Sequence, residues 1–261
     1  MTLIDRSRMK IAFFAVVVAL TASVPARAAN DAMVPLPQSL EVELALSALP
    51  VGLRDGATVL VLNPRAGYEV FRKGSNGFVT LVGRTSTRFY SADWPYEYPS
   101  DQLIPLSFDD VGVAVHLQPW LDLARMRATG VPATEAKRRL RAAFADGTYK
   151  APVKGGMSYM LAPVHRAYLA PEHSGELGTF SFPHYMPYAP HVSAGQLGGP
   201  VDPMSGAPVV LTHGGRDAGP HGYLALKLPD PQVAAIRTEY AALLEELCRL
   251  HEAWCLRIDR N

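Results

Sequence analysis

The sequence ATVLVLNPRAGYEVFRKGSNGFVTLV, residues 57–82, contains three short apolar runs separated by turn residues. The runs are Ala57–Leu62, Tyr68–Arg72 and Phe78–Val82. The first ends at Asn63-Pro64, and Asn76-Gly77 lies directly before the third. An Asn-Gly pair between two such runs is a strong hairpin signal, because both residues tolerate a positive φ. We therefore predict a three-stranded antiparallel meander.

Helix and strand patterns surround this meander. Pro119–Arg127 and Thr134–Asp146 have helical patterns, with Thr134 as an N-cap and Gly147 as the stop. The sequence does not decide between strand and helix for Leu40–Leu49. Its alternation of apolar and other residues favours a strand, whereas its Leu, Glu and Ala residues favour a helix. Four further strands are expected at Met157–Ala162, Thr179–Phe182, Val209–His213 and Tyr223–Leu228. The fold class is therefore α+β, an antiparallel sheet of short strands packed with a few helices.

The C-terminal region has the clearest helical periodicity. Asp230 is a candidate N-cap and Pro231 a first-turn proline. Apolar residues then recur at spacings of three and four: Val233, Ile236, Tyr240, Leu243, Leu247, Leu250 and Trp254. This predicts a long amphipathic helix over residues 231–258. Its apolar stripe is wide, which favours packing on the chain's own body, with a homodimer through this helix as the alternative.

Both cysteines, Cys248 and Cys255, lie on this predicted helix. Two helical turns would separate their Cα atoms by about 10.5 Å. A disulfide needs Cα atoms within roughly 7 Å. We therefore predict that they do not pair with each other.

The first 28 residues have the layout of a cleavable signal peptide. Arg6, Arg8 and Lys10 precede an unbroken apolar run, Ile11–Leu20, and Ala26-Arg27-Ala28 offers a cleavage site. A run this short does not span a bilayer, which needs about 20 residues. Residues 29–261 then form one predicted globular domain, exported to the periplasm or the extracellular medium.

The charge of the chain argues against one class of partner. The formal net charge is +1, and removal of residues 1–28, which carry four basic and one acidic residue, leaves +1 − 3 = −2. A nearly neutral protein has no long-range field to attract nucleic acid, so we expect none as a partner. No stretch after the first 28 residues is long enough to span a membrane, so no membrane anchor is expected after cleavage.

Four pieces of the chain occur in a characteristic order and spacing: Ala45–Pro50 with Gly56–Val59, Arg72–Phe78, Gly147–Pro152 with Met157–Leu161, and Pro183–Met186 with Tyr188-Ala189-Pro190. Together they resemble an uncharacterised family of exported bacterial proteins with a G-T-N-G-F signature and a later P-H-x-M-x-Y-A-P signature. The resemblance covers roughly residues 45–228. It implies no activity and no residue role. Where relatives have a Cys two residues after the Gly-Phe pair, this chain has Thr80, which puts any disulfide typical of those relatives in doubt here.

Histidines are dense in one stretch of the sequence: His173, His184, His191, His213 and His221. If residues 179–188 are extended, His184, Met186 and Tyr188 share one face with Phe180 and Phe182, while Pro183 and Pro187 mark an edge strand. The candidate binding residues are His184, Tyr185, Met186, Tyr188 and Arg216, the last in a glycine-rich loop that can bind an anion. The candidate metal ligands are His184, His191, His213 and His221, for zinc or copper.

These patterns predict a soluble exported protein that acts as a binding or interaction protein. The alternative is a metal-assisted hydrolase whose site uses the histidines of residues 173–221. The sequence leaves open whether the chain is an enzyme.

Export gives the first testable prediction. The intact mass of the protein recovered outside the cytoplasm should correspond to a chain that begins at Ala29 or Asn30, because the apolar run ends before Ala26-Arg27-Ala28. Recovery of a chain that still begins at Met1, bound to the membrane, would contradict cleavage.

Overall fold

The computed structural model describes residues 33–85, 97–168, 177–199, 207–211 and 219–257. The α-helices are α1 (Gln38–Ser47), α2 (Val51–Arg54), α3 (Asp110–Val115), α4 (Leu117–Ala128), α5 (Ala133–Ala145), α6 (Asp230–Glu239) and α7 (Ala241–Leu250). The strands are β1 (Thr58–Asn63), β2 (Gly67–Arg72), β3 (Val79–Gly83), β4 (Ile104–Phe108), β5 (Met157–Met160), β6 (His165–Tyr168), β7 (Leu177–Phe180), β8 (His184–Pro187), β9 (Val209–Leu211) and β10 (Tyr223–Lys227). The predicted α+β class is confirmed.

Eight of these strands form one sheet, in the order β2-β1-β3-β4-β5-β8-β10-β9, and β6 pairs with β7 in a small second sheet. Neighbouring strands are antiparallel except β1 and β3, which are parallel. In the β1–β2 pair the register shifts, because Val59 pairs with Arg72 and Leu60 with Val70. Phe71 is the extra residue of this β-bulge on the edge strand.

The predicted meander over residues 57–82 is wrong in its pairing, although its three strands exist. β3 pairs with β1 in parallel and does not pair with β2, so residues 73–78 cross the end of β1. Gly77 does have a positive φ of 82°, as expected at a turn. A positive φ is a local requirement that a hairpin and a crossover loop can share, so it does not identify the partner strand.

Helices cover both faces of the sheet. On one face, α1 and α7 pack on β1, β3 and the residues before β4, with a core that includes Leu44, Val82 and Leu247. On the other face, α4 packs on β1, β3 and β4 through Leu117 and Trp120. Thr80 is buried, and its Oγ1 lies 2.6 Å from the carbonyl oxygen of Ala45 in α1.

The structure resolves or corrects the predicted helix boundaries. Residues 40–49, which the sequence left open, belong mostly to α1. α4 matches the predicted Pro119–Arg127 helix. α5 begins at Ala133 after Pro132, so Thr134 is inside the helix and not its N-cap. Asp230 is likewise the first residue of α6, and Pro229 precedes it.

The predicted continuous helix over residues 231–258 is wrong. The chain leaves helical geometry at Tyr240, and α7 ends at Leu250, where His251 turns extended. A short 3-10 helix, Glu252–Trp254, then inserts the Trp254 side chain into the core. The helical spacing of apolar residues in the sequence extends past Leu250 to Trp254, because Trp254 also faces the core although its segment is not α-helical. The stripe packs on the chain's own body, so a homodimer would have to use the exposed face.

The prediction that Cys248 and Cys255 do not pair is also wrong. They form a disulfide, with Cα atoms 4.2 Å apart. The distance argument assumed seven helical residues between them, whereas the turn at His251 folds Cys255 back towards α7. The bridge fixes the segment that carries Trp254, whose Nε1 donates a hydrogen bond of 2.7 Å to the carbonyl oxygen of Asp101.

None of the helices in the part of the chain that the structure describes is both long enough and apolar enough to cross a membrane. Residues 1–32 lie outside the described ranges, so the signal peptide stays a prediction.

The disulfide gives a prediction about stability. Replacing Cys255 with Ser should lower the free energy of unfolding by about 2 kcal/mol, because the bridge closes a short loop in the unfolded chain. Denaturant unfolding under non-reducing conditions measures the change, and the double variant with Cys248→Ser is the control, which should lose no more than the single variant. Detection of two free thiols in the denatured, non-reduced protein would show that the bridge is absent.

A candidate arginine-lined cleft

The residues that the sequence nominated fall into separate environments. His184 and Met186 are buried in β8, and Tyr188 is buried just after it, as the expected alternation requires. Tyr185 faces the other side of the sheet and packs on Tyr159. His191 is exposed and has a φ of 62°. His173, His213 and Arg216 lie outside the described residues.

The prediction of one extended edge strand over residues 179–188 is wrong. β7 ends at Phe180 and β8 begins at His184, and the two strands belong to different sheets. β8 lies between β5 and β10, so it is an interior strand. Two prolines are tolerated here because Pro183 precedes the strand and Pro187 is its last residue. At these positions the missing N–H removes few of the hydrogen bonds between the strands.

His221 lies in a buried polar cluster at one end of the main sheet. Its ring is 6.2 Å from that of His116, which packs at 4.5 Å on Tyr188. The Tyr188 hydroxyl is 2.8 Å from Ser158 Oγ. Burial lowers the pKa of His116 to about 3, with His221 adding to the effect, so this ring is neutral at pH 7. All four side chains are buried in the interior.

The predicted metal ligands do not come together among the described residues. Residues 33–85, 97–168, 177–199, 207–211 and 219–257 contain no group of three His, Cys, Asp or Glu side chains placed to hold a metal ion. A site of the predicted set would need His213, outside those ranges. The metal-assisted hydrolase therefore stays a prediction.

A cleft between α4 and the edge of the sheet is the better candidate site. The space in it and in front of its open mouth is about 290 Å³, and the enclosed part has room for about one water molecule. Its lining residues are Met33, Leu62, Pro64, Tyr68, Arg84, Thr85, Trp120, Ala124, Arg127 and Ala128. The apolar residues form its walls, and two arginines supply its charge.

Arg84 follows β3, where the chain leaves the sheet. Its guanidinium is buried, and it donates from Nε to the carbonyl oxygen of Gln102 at 2.8 Å and from Nη2 to that of Val34 at 2.7 Å. Burial lowers the pKa of Arg84, an effect opposed first by Glu41. Arginine nevertheless stays charged at every physiological pH. Arg84 thus lines the cleft, and its guanidinium is a buried cation fixed by two neutral carbonyl oxygens.

Arg127 enters the cleft from the last turn of α4. Its Nη1 donates to Thr85 Oγ1 at 2.9 Å and to the carbonyl oxygen of Arg84 at 3.3 Å. The guanidinium also lies over the ring of Tyr98, 5.1 Å from its centroid. These contacts hold the planar group in one orientation, which favours bidentate binding of an anion.

A buried carboxyl group contacts the backbone of one of the residues that line the cleft. Glu41 Oε1 accepts a hydrogen bond of 2.9 Å from the backbone N–H of Leu62, a lining residue. Burial raises the pKa of Glu41 to about 7, although this hydrogen bond and Arg84 lower it. The carboxyl is therefore partly protonated near neutral pH and compensates the two arginines only in part.

The aromatic wall depends on a glycine. A Cβ atom on Gly83 would lie 2.3 Å from the ring of Trp120, so only glycine lets this indole approach the sheet next to Arg84. The Tyr68 hydroxyl donates to the carbonyl oxygen of Val82 at 2.7 Å and accepts from the N–H of Arg84 at 3.3 Å. Burial raises the pKa of Tyr68, so it stays a neutral phenol.

The sequence contained a signal for this cleft. In α4, Leu117, Trp120, Leu123 and Arg127 recur at helical spacing, and all four are buried. An arginine in the apolar stripe of a helix must reach hydrogen-bond acceptors inside the protein. Arg84 had no comparable signal, because it follows a strand in a segment rich in polar residues.

Comparison with family models, with curated proteins and with solved structures finds no match for this chain. No activity, cofactor or residue role is therefore transferred from another protein, and the function has to be inferred from the geometry.

Glu41 gives a prediction about pH. Its carboxyl ionises in the unfolded chain near the ordinary pKa of 4.5, whereas the folded protein holds the proton until about pH 7. Folding therefore takes up a proton in this window, and stability falls as the pH rises through it, by up to roughly 3 kcal/mol. Glu41→Gln removes this dependence.

Urea unfolding at pH 4.5, 6 and 8 measures the effect as the difference between the variant and the wild type. As the pH rises, the free energy of unfolding of Glu41→Gln should increase relative to that of the wild type. His116 and His165 titrate in both proteins, so their contributions cancel in this difference. Glu43→Gln, an exposed position of the same helix, is the matched control. A difference that does not change with pH would contradict a raised pKa.

Proposed function

We propose that this chain is a binding protein for a small organic carboxylate held in the arginine-lined cleft. The observation that carries the proposal is that two arginine residues, Arg84 and Arg127, line one cleft, and that neutral hydrogen-bond acceptors orient the guanidinium of each. Fixed donors cost little ordering entropy on binding, so a ligand gains most of the charge-assisted hydrogen-bond energy.

The walls favour a carboxylate with an apolar body over an inorganic anion. Leu62, Trp120 and Ala124 offer aliphatic and aromatic surface next to the charged groups. Ligand sites commonly combine such walls with a few oriented polar groups. Because the enclosed part of the cleft has room for about one water molecule, a small carboxylate would bind with its charged group inside and its apolar body at the open mouth. Predicted export would place this cleft outside the cytoplasm.

A calorimetric titration of the full protein with benzoate, acetate, phosphate and the neutral analogue benzamide tests the proposal. Benzoate should bind more tightly than acetate because the walls cover its ring, and benzamide should not bind because it lacks the charge. Arg127→Met keeps an apolar chain of similar length and should weaken benzoate roughly tenfold to a hundredfold, the loss expected for a charge-assisted hydrogen-bond pair.

Arg125→Met is the matched control, because Arg125 lies two residues away on the same helix with an exposed side chain paired to Asp122. It should change benzoate affinity less than twofold. Equal affinities of the two variants, or binding of benzamide as tight as benzoate, would contradict the site. Tighter binding of phosphate than of benzoate would show that the cleft binds anions but would contradict an organic carboxylate as its ligand.

A further inference from the structure

A short segment after α7 places a fully buried side chain next to an arginine of the cleft. It covers residues 251–255, contains the 3-10 helix, and is called the Trp254 segment below. Trp254 is 0 % exposed, and its Nε1 donates a hydrogen bond of 2.7 Å to the carbonyl oxygen of Asp101. Its ring lies against the guanidinium of Arg84, 5.7 Å from the ring centroid. The segment therefore contacts one of the two arginines that line the cleft.

Two further contacts hold the Trp254 segment against the sheets. Thr179 in β7 donates from Oγ1 to the carbonyl oxygen of Ala253. His251 Nε2 lies 3.4 Å from Oδ2 of Asp101, a contact that is an ion pair only when the ring is protonated. Together with the contacts of Trp254, these interactions keep five residues in one conformation outside regular α-helix and sheet.

The disulfide decides whether these contacts are sufficient. Fixing the backbone of five residues costs roughly as much free energy as burial of one tryptophan and a few hydrogen bonds return. The bridge from Cys248 to Cys255 lowers the entropy of the open segment, because it keeps the far end close to α7. Without the bridge the segment should open roughly thirtyfold more often, the factor that corresponds to about 2 kcal/mol.

The bridge is accessible to a reductant in solution. Cys248 is exposed on α7, and Cys255 is half-buried. Exposed disulfides are the ones that exchange with external thiols, whereas buried ones are protected. The thiolate of a dithiol attacks Sγ of Cys248, the S–S bond breaks, and Cys255 leaves as a thiolate that takes up a proton. The second thiol then attacks the mixed disulfide, so the dithiol is oxidised to its own disulfide and both cysteines are reduced.

Opening of the segment changes the surroundings of Arg84. Its guanidinium would lose the ring of Trp254 and gain contact with water in its place. The carbonyl oxygen of Gln102, which accepts from Arg84 Nε, belongs to the residue next to Asp101, whose carbonyl oxygen would lose its donor. Water then competes with the protein acceptors, and the N–H groups of Arg84 lose their fixed direction. A ligand has to order them on binding, which lowers its affinity.

We propose that the Cys248–Cys255 disulfide is a redox switch of the arginine-lined cleft: reduction by a dithiol opens the Trp254 segment and weakens carboxylate binding. The control of binding rests on the proposed function, whereas the opening of the segment does not. The oxidised protein is the form that binds, and the reduced protein is the form that releases. The apparent affinity falls by the same factor as the closed fraction of the segment.

Two measurements on the full protein, with and without dithiothreitol, test the switch. Exchange of the Trp254 indole hydrogen with solvent, followed by NMR, should become roughly thirtyfold faster on reduction, because this hydrogen exchanges from the open segment. An NMR titration with benzoate should give an affinity roughly threefold or more weaker for the reduced protein. The far-UV circular dichroism should stay the same, because the opening is local.

The double variant Cys248→Ser with Cys255→Ser should match the reduced wild type in both measurements, and dithiothreitol should not change it. Reduction of the wild type tests the switch even if this variant fails to fold. Glu252→Gln, at an exposed position of the same segment, is the matched control and should respond to dithiothreitol as the wild type does.

The outcomes separate the switch from the binding function. Unchanged indole exchange on reduction, or unfolding of the whole protein, would overturn the switch whether or not benzoate binds. Faster exchange with unchanged benzoate affinity would overturn control of the cleft and leave the proposed function intact. No binding of benzoate to the oxidised protein would overturn both.

Discussion

A buried guanidinium links parts of the chain that are far apart in the sequence. Arg84 is buried from solvent, so its N–H donors must find acceptors inside the protein. They bond the carbonyl oxygens of Val34, in the N-terminal segment, and of Gln102, just before β4. Its guanidinium also lies over the Trp254 ring, 5.7 Å from the centroid. One charge thus fixes the start of the described chain, the sheet and the C-terminal turn relative to one another. Removing it would leave these carbonyl oxygens buried without donors, which costs more than the hydrogen bonds themselves contribute.

The C-terminal segment completes this arrangement from the other side. Trp254 donates to Asp101, the residue next to Gln102, and Asp101 is also paired with Arg166 at 2.9 Å. The disulfide between Cys248 and Cys255 holds the turn that delivers the indole. The cleft, the sheet and the C-terminus therefore depend on each other, and a change at any of them should alter the others.

Local sequence signals predicted the helices and strands well, but they predicted poorly which strands pair with each other. Gly77 has the positive φ that Asn76-Gly77 indicated, but the strands on either side of it do not pair, because strand order depends on contacts with α1 and β4 that lie far along the chain. The apolar spacing through Trp254 identified most of the residues that face the core, although Leu250 is exposed. It failed to show where α7 ends, because a 3-10 turn can present a side chain to the same core as a helix. The missed disulfide followed from that single error.

Site prediction failed for a related reason. Histidine density along the sequence does not measure proximity, since His191 is exposed while His184 lies near His165, a residue outside the dense stretch. Arg127 was visible as a charge in the apolar stripe of α4, but its partner Arg84 comes from a distant strand end. Sites built from two segments become evident only when the topology is known.

The bulge in β2 has a consequence for how copies of this protein behave towards one another. β2 is an edge strand with two exposed apolar side chains, Val70 and Phe71, a combination that invites another chain to add a strand. The extra residue Phe71 interrupts the regular row of N–H and C=O groups that such an addition would need. The opposite edge, β9, is only three residues long. Both borders of the sheet thus resist growth, which protects a concentrated solution of folded chains from aggregating edge to edge.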